Sequence, residues 1–341
     1  MVNNIKIENA ELTKALRHYF GHSKPLDFEL VQSLWGGYGA IIRYCSNQCD
    51  SKNIVQYCIA KVVNLQQQGQ HPRGWNTNTS HQRKLSSYVN EQHFYRYFAS
   101  LTNDECRVPK MFNASADDKS IWMILQDLNA EGFAKRSIHP SLSLVRLGVS
   151  WLANFHACFV NHSNLSNRKH LNKLWPIGTY WHLGTRADEW EAMPESPLKE
   201  AASEIDKRLN NANFQTIVHG DAKLANFCIH STESMLAAVD FQYVGRGVGI
   251  KDFVYFLGSC FDSQALYEHA PSLLNEYFSS LKRATHKSSL NFEALEKEYR
   301  GLYAFAWADF ERFLTGWSPG HKKLNDYSAE QTQFALQEIY T

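Results

Sequence analysis

Residues 217–229 read IVHGDAKLANFCI, and residues 237–242 read AAVDFQ. In both stretches an apolar run typical of a short buried strand adjoins a polar segment. The polar side chains therefore fall in loops that join short strands. We expect Asp221, Lys223, Asn226 and Asp240 to surround one small space.

These residue types suit phosphoryl transfer. A phosphoryl group in transfer carries dispersed negative charge, so its site must supply cations and position a nucleophile. Mg²⁺ prefers hard oxygen ligands, which the Asp240 carboxylate and the Asn226 amide offer. A carboxylate such as Asp221 can orient an acceptor hydroxyl and take its proton. Lys223 would place a compact positive charge near the transferred phosphate and is a second candidate catalytic residue.

The pattern H-G-D-x-K-x-x-N followed by D-F-Q resembles the aminoglycoside phosphotransferase and choline kinase superfamily, most closely its ecdysteroid-kinase-like branch. The resemblance implies an α+β, protein-kinase-like, two-lobed fold with a small antiparallel-sheet N-lobe and a larger, mainly helical C-lobe. It implies that Asp221 is the catalytic base and that Asn226 and Asp240 bind Mg²⁺. It also implies that His219 shapes the catalytic loop and that Asp252, in GIKDF, braces it.

Residues upstream of this stretch follow the order that the resemblance implies. Lys61, in the apolar run YCIAKVV, would meet the nucleotide phosphates, and Glu91, in the helical run YVNEQHFYRYF, would hold it. The glycine turn expected over the phosphates contains Gly36, Gly37 and Gly39.

The segment LQDL resembles a kinase hinge, whose backbone meets adenine, and its expected nucleotide-binding residues are Gln126 and Leu128. The predicted lobes are therefore residues 1–126, which bind nucleotide, and residues 127–341, which carry catalysis and the acceptor site. Within the first lobe, residues 64–84 are polar and predict a flexible loop. In the second lobe, residues 292–314 have the helical apolar spacing.

Composition limits the alternatives. The chain has 341 residues, of which 44% are hydrophobic and 13% aromatic, so wholesale disorder is excluded. A net charge of +1 disfavours a nucleic-acid partner. We expect no secretory signal and no membrane span, because no apolar run approaches ~18 residues. The seven cysteines form no C-x-x-C pair, which fits reduced thiols in the cytoplasm.

The sequence thus predicts an ATP-dependent, Mg²⁺-assisted kinase that phosphorylates a hydroxyl of a small molecule. The alternative is an inactive nucleotide-binding pseudokinase or scaffold of the same fold. D-F-Q in place of D-F-G, and the lack of A-P-E, disfavour a protein kinase.

The acceptor stays open among antibiotics, choline-like amines, sugars, sterol-like compounds and other alcohols, and so does the oligomeric state. The aromatic stretch at residues 303–317 has two interpretations. It is either an amphipathic core helix or an acceptor wall, whose aromatic side chains, with Asp309 and Glu311 nearby, could receive a cationic or apolar-ring substrate.

Overall fold

The computed structural model describes residues 9–21, 27–46, 56–66, 78–160 and 168–341. Their contacts divide the chain into two compact units. The first contains residues up to Gln92 and residues 109–131, and the second contains residues 93–108 and 132–341. The division into a nucleotide-binding lobe, residues 1–126, and a catalytic and acceptor-binding lobe, residues 127–341, stays a prediction.

A five-stranded antiparallel sheet forms the centre of the first unit. Its strands are β1 (Asp27–Ser33), β2 (Gly39–Ser46), β3 (Gln56–Asn64), β4 (Met111–Ala116) and β5 (Ser120–Gln126). Their spatial order is β1-β2-β3-β5-β4, so β3 is central and β5 pairs with it along its whole length. A side chain on β3 is therefore screened by a strand on each side.

Alternation along β3 decides which side chains face which helix. Helix α1 (Ala10–Phe20) packs its apolar stripe against Cys58, Ala60 and Val62 on one face of the sheet. Side chains of successive strand residues point to opposite faces, so Lys61 and Val63 lie on the other face. There Val63 packs with Tyr88 of helix α2 (Asn78–Tyr97). The strand thus directs the Lys61 side chain towards α2.

The polar loop expected at residues 64–84 is shorter than the sequence indicated. Asn64 is the last residue of β3, and α2 already begins at Asn78. Residues 78–84 are therefore helical, although their Asn, Thr, Ser, His and Gln side chains form no apolar stripe. The rest of α2 carries buried side chains such as Tyr88 and Phe94, which hold the helix in place. Residues 67–77 lie outside the described part of the chain.

The second unit is mainly helical. Its described helices are α3 (Leu142–Ala157), α4 (Ala187–Glu191), α5 (Pro197–Asn210), α6 (Ile250–Cys260), α7 (Ser263–Thr285), α8 (Phe292–Gly301), α9 (Tyr303–Trp317) and α10 (Asp326–Tyr340). The apolar spacing over residues 292–314 predicted one helix, but α8 and α9 are separate. Leu302 lies between the two helices, directly after Gly301, the last residue of α8, which has low helix propensity.

Two short antiparallel pairs of strands position the loops of the second unit. Strand β6 (Thr216–Val218) pairs with β9 (Gly245–Gly247). Strand β7 (Phe227–Ile229) pairs with β8 (Leu236–Ala238). Strands β6 and β7 are the apolar runs predicted on either side of the H-G-D segment, and β8 is the run predicted before D-F-Q, whereas β9, Gly-Arg-Gly, was not predicted.

The fold class is confirmed as α+β, with a small antiparallel sheet in the N-terminal part and a mainly helical remainder. Within the ranges that the structure describes, no helix is both long enough and apolar enough to cross a membrane.

Candidate active site

The segment between β6 and β7, residues 219–226, is held in place by the buried carboxylate of Asp252. Its Oδ2 accepts a hydrogen bond from the His219 backbone N–H at 2.6 Å, and its Oδ1 accepts one from Gly220 at 3.0 Å. The ring of His156 lies 3.1 Å from the same Oδ2. These two buried backbone N–H groups have no acceptor in a strand or helix, and the Asp252 carboxylate accepts from both. We call residues 219–226 the HGD loop.

One face of α6 carries this attachment. Asp252, Tyr255 and Ser259 recur at spacings of three and four residues, so they lie along one side of the helix. Ser259 Oγ accepts the Leu224 N–H at 2.8 Å, near the far end of the HGD loop. A single helix therefore holds both ends of the loop.

Gly220 is required by the backbone of the HGD loop. Its φ of +80° lies in the left-handed region, and a Cβ at this position would come within 2.0 Å of the Tyr243 carbonyl oxygen. Only glycine combines that conformation with so close an approach. The Gly220 carbonyl accepts the Tyr180 N–H at 3.0 Å, which brings Tyr180 beside the next residue, Asp221.

His219 is a structural residue of the loop. Its ring is fully buried, with Nε2 3.1 Å from the Val239 carbonyl oxygen and Nδ1 accepting the Asp221 N–H at 3.3 Å. These partners assign the proton to Nε2. Burial lowers the pKa of His219, although the carboxylates of Asp252, Asp221 and Asp240 act in the opposite direction. The ring links the HGD loop to the chain just before Asp240.

Asp221 lies at the centre of the loop, with its two carboxylate oxygens in different surroundings. Oδ2 accepts from Lys223 Nζ at 2.8 Å and from Asn226 Nδ2 at 3.1 Å. Oδ1 is buried and accepts no hydrogen bond of ordinary distance and angle from the described residues, although the Tyr255 hydroxyl lies near enough to the carboxylate to interact with it. One oxygen is thus fixed by the loop, and the other is available to a hydroxyl donor.

The ammonium of Lys223 is held by carboxylates. Burial works to lower the pKa of Lys223, but the charges of Asp221 and Asp240 outweigh it and raise that pKa above its usual range. Lys223 is therefore a fixed positive charge next to Asp221.

The pairing of β7 with β8 brings Asn226 close to Asp240. The Val239 N–H donates to the Asn226 carbonyl at 2.9 Å, one residue before Asp240. The Asn226 amide nitrogen donates to the Asp221 carbonyl oxygen at 2.7 Å, and no described residue donates to the Asn226 Oδ1. That oxygen and the Asp240 carboxylate form a donor set that suits Mg²⁺ completed by phosphates and water.

Asp240 is held in an unusual conformation. Its φ is +70°, a region that costs free energy for residues other than glycine, though aspartate tolerates it better than most. The Gln242 amide donates to Asp240 Oδ1 at 2.6 Å. The glutamine of D-F-Q therefore orients the carboxylate. Among the described residues, no three His, Cys, Asp or Glu side chains form a metal cluster, so any metal here needs ligands from elsewhere.

In the first unit, Lys61 and Glu91 form a buried ion pair. Lys61 Nζ lies 2.6 Å from Glu91 Oε2, and both side chains are almost inaccessible to solvent, at 5% and 2% exposure. The alternation of β3 and the position of α2 bring the two together, across 30 residues of sequence.

The remaining predicted nucleotide-binding residues lie at the ends of strands. Gly36 and Gly37 have φ of +73° and +79° in the tight turn between β1 and β2, and Gly39 is the first residue of β2. Gln126 ends β5, with its N–H bonded to the Lys110 carbonyl at 2.8 Å, and Leu128 is buried just beyond.

The aromatic stretch at residues 303–317 is helix α9, and most of it is core. Asp309 is not available to a substrate, because it is fully buried between Lys251, at 3.0 Å, and Arg312, at 2.8 Å. Burial works to raise the pKa of Asp309, but these two cations outweigh it and hold that pKa at about 2. The interpretation in which Asp309 receives a cationic substrate is therefore wrong.

Sequence reasoning missed four residues of this region: Tyr180, Tyr255, Ser259 and Gln242. Tyr255 and Ser259 had a usable signal, since they follow Asp252 at helical spacing in an apolar run. Tyr180 had none, because it reaches the HGD loop through a backbone hydrogen bond about forty residues away in sequence.

Comparison with solved structures gives distant similarities. An ethanolamine kinase of Plasmodium vivax is 11% identical, with 100% of this chain and 93% of that chain covered and a TM-score of 0.49. An aminoglycoside phosphotransferase of Streptomyces rimosus, solved with ADP and streptomycin, is 11% identical, with 89% and 99% covered and a TM-score of 0.41. An aminoglycoside-3'-phosphotransferase of type VIII is 15% identical, with 85% and 100% covered and a TM-score of 0.43.

A search of curated proteins finds no match. Residues 181–290 match the model of the Ecdysteroid kinase-like family. That span contains the HGD loop, the Asn226 and Asp240 pair, and the Asp252 brace. The resemblance to the ecdysteroid-kinase-like branch, predicted from the H-G-D and D-F-Q segments, is therefore confirmed for this part of the chain.

Proposed function

We propose that the protein is an ATP-dependent phosphotransferase that moves the γ-phosphate to a hydroxyl group of a small molecule. Asp221 orients the hydroxyl and accepts its proton. Lys223 supplies positive charge beside the transferred group. Asn226 and Asp240 hold Mg²⁺, which when bound neutralises charge on the nucleotide phosphates.

One observation carries this proposal above the others. Asp221 Oδ1 is buried and accepts no well-formed hydrogen bond from the described residues, with the Tyr255 hydroxyl only near it, and a buried carboxylate oxygen without a full partner is costly. A hydroxyl of the acceptor would satisfy it. The other oxygen is fixed by Lys223 and Asn226, so the carboxylate already has the orientation that proton acceptance requires.

The Lys61–Glu91 pair supports the nucleotide side of the proposal. Removing two charges from water is expensive, and buried ion pairs often add little stability. A buried lysine fixed by a glutamate is instead suited to bind phosphate oxygens at a defined position. Gly36, Gly37 and Gly39 would cover those phosphates, and the backbone at Gln126 and Leu128 would meet adenine.

The test is product formation with MgATP and a library of hydroxyl metabolites. Mass spectrometry would detect the phosphorylated product, and the Asp221→Asn variant serves as the blank. We expect one or more acceptors to be phosphorylated by the wild type and not by the variant, while both bind MgATP with similar affinity. GTP is included as an alternative donor.

Three results would contradict the proposal. Full turnover by Asp221→Asn would show that Asp221 is not the group that accepts the proton of the hydroxyl. A thermal shift with MgATP but no product from any acceptor would favour the nucleotide-binding scaffold. Phosphate transfer to generic protein substrates would favour a protein kinase.

A further inference from the structure

Two tyrosine side chains lie beside Asp221. Tyr180 and Tyr255 stack edge to face with ring centroids 5.6 Å apart. Burial raises the pKa of both hydroxyls, and the nearby Asp221 carboxylate raises it further. Both hydroxyls are therefore neutral at physiological pH. With Phe313, which packs against Tyr180 with ring centroids 5.3 Å apart, they form a largely buried aromatic cluster next to the proposed base.

A lysine from another part of the chain packs against the same aromatic cluster. Lys323 belongs to the segment between α9 and α10, and its Nζ lies 4.3 Å from the centre of the Tyr255 ring and 5.4 Å from that of Phe310. Its side chain is half-buried. These rings attract a cation but supply no counter-charge.

Lys323 differs from the other cations of this region in having no carboxylate partner. Lys251 pairs with Asp309, Arg186 pairs with Glu189 at 2.8 Å, and Lys223 pairs with Asp221. Among the described residues, no carboxylate lies within ion-pair distance of Lys323 Nζ. An ammonium held among aromatic rings without an anion is an arrangement that costs free energy and marks candidate functional residues.

The pKa of Lys323 reflects its burial without a carboxylate partner. Burial lowers the pKa of Lys323 to about 8, with Asp221 opposing the effect and Lys223 adding to it. At pH 7 the side chain still carries its charge. An anion brought next to it would remove the cost of burial and gain a charge-assisted hydrogen bond.

We propose that the acceptor carries an acidic group, a carboxylate or a phosphate, in addition to the hydroxyl that is phosphorylated, and that Lys323 binds this acidic group. The inference rests on the proposed function and adds a specificity-determining residue to it. Cationic acceptors such as choline-like amines would meet Lys323 and Lys223 with the same sign of charge. Asp309, one of the two carboxylates of α9 that could have received them, is fully buried.

The experiment compares acceptors that share one aromatic skeleton and differ in charge. The set is para-(hydroxymethyl)benzoate, para-(hydroxymethyl)phenyl phosphate, the neutral para-(hydroxymethyl)benzamide and the cationic para-(hydroxymethyl)benzylamine. The proteins are the wild type, Lys323→Met, Lys323→Glu and the control Lys322→Met, which changes an exposed neighbour. Steady-state kinetics give kcat/KM for each acceptor and KM for MgATP.

We expect the wild type to prefer at least one acidic acceptor over the amide by about tenfold or more. Lys323→Met should abolish that preference, Lys323→Glu should reverse it in favour of the amine, and Lys322→Met should retain it. The benzoate and the phosphate distinguish the two sources of negative charge. In all variants KM for MgATP should stay within about twofold, because the acidic group of the acceptor and the nucleotide are separate ligands.

A wild-type preference for the neutral or cationic acceptor would overturn the inference. So would a rise in KM for MgATP in Lys323→Met with acceptor preference unchanged, which would assign Lys323 to the nucleotide. If the wild type phosphorylates none of the set, the proposed function fails for these acceptors, and calorimetric titration of the same compounds decides the inference separately. If the wild type binds an acidic compound and Lys323→Met does not, the inference is supported. If the two proteins bind that compound equally, or if neither protein binds it, the inference is contradicted.

Discussion

The ammonium of Lys223 lies 2.8 Å from the carboxylate of Asp221, two residues earlier in the chain. The same oxygen of Asp221 also accepts from Asn226, so the loop fixes the carboxylate through two side chains of its own. The carboxylate orientation is thus set before any acceptor arrives, which is the preorganisation that acid–base catalysis exploits.

Replacing Lys223 with methionine tests this arrangement. We expect kcat to fall by roughly tenfold to a hundredfold, because a fixed positive charge beside the transferred phosphate is lost. KM for MgATP should change by less than about threefold. Lys207→Met, at an exposed position on α5, is the control and should keep the wild-type kcat. An unchanged kcat in Lys223→Met would show that this ammonium takes no part in transfer.

The Asp240 carboxylate should determine how nucleotide affinity depends on Mg²⁺. In Asp240→Ala we expect the gain in ATP affinity on adding Mg²⁺ to disappear, since one of two protein ligands is lost. Gln242→Ala removes only the donor that orients the carboxylate and should reduce that gain without abolishing it. Calorimetry with ATP, with and without Mg²⁺, measures both. Identical Mg²⁺ dependence in Asp240→Ala and the wild type would refute the metal assignment.

The Asp252 carboxylate should contribute strongly to the free energy of unfolding. Replacing it with alanine leaves the His219 and Gly220 N–H groups buried without acceptors, at an expected cost of about 2–4 kcal/mol in the free energy of unfolding. Urea unfolding measures that cost, and hydrogen exchange should show faster exchange in the HGD loop. Asp118→Ala, at an exposed turn, is the matched control and should differ from wild type by less than about 0.5 kcal/mol.

Gly220 and Gly301 offer a paired test of backbone conformation. Gly220→Ala should destabilise the protein by more than about 2 kcal/mol, because the new Cβ meets the Tyr243 carbonyl oxygen and φ is positive. At Gly301, the last residue of α8, a Cβ meets nothing within 4 Å, so Gly301→Ala should be neutral or slightly stabilising. Thermal unfolding of both variants would settle the point, and equal melting temperatures would contradict it.

Because Lys323 has no carboxylate partner, we expect the difference in stability between the wild type and Lys323→Met to depend on pH. Its pKa is lowered to about 8 in the folded protein, against ~10.4 in the unfolded chain. Below about pH 8 the lysine is charged in both states, so the folded protein bears the full cost of burial. Between about pH 8 and ~10.4 the folded protein gives up that proton first, and the cost disappears.

Lys323→Met should therefore be more stable than wild type by roughly 2 kcal/mol at pH 7, and this advantage should shrink towards zero by about pH 10. The charged groups that act on Lys323 are Asp221, Lys223, Lys322 and the Cys260 thiol, and Tyr255, whose ring contacts Lys323, stays neutral because its pKa is raised well above the usual value. Burial raises the pKa of that thiol to about 12, so it does not titrate in this range. Urea unfolding across the pH range, with Lys322→Met alongside, gives the difference. If Lys323→Met is less stable than the wild type at pH 7, burial of the charged lysine does not cost the folded protein free energy, and the prediction fails.

How much the sequence could predict depended on how local the interactions are. The HGD loop and the Asn226 and Asp240 pair lie in short segments whose residue types and order carry the information. Lys61 and Glu91 are 30 residues apart, and the family resemblance, not local spacing, predicted that they meet. Lys323 could not be placed, because only the folding of α9 and α10 brings it to the Tyr255 ring. Asp309 was misjudged for a related reason. Its partner Lys251 lies 58 residues earlier, and nothing in the local spacing indicates that the two meet.

The hairpin between β7 and β8 separates two residues whose positions are tied together. Asn226 and Asp240 are held by the strand pairing at its base, whereas residues 231–235 at its tip are exposed. Extra residues inserted at the tip would lengthen the chain without moving either proposed ligand. Relatives of this protein are therefore free to vary in the sequence distance between the two, and a search pattern with a fixed spacing would overlook them. The same tip is a suitable place to insert a peptide tag or a fluorescent label in this chain.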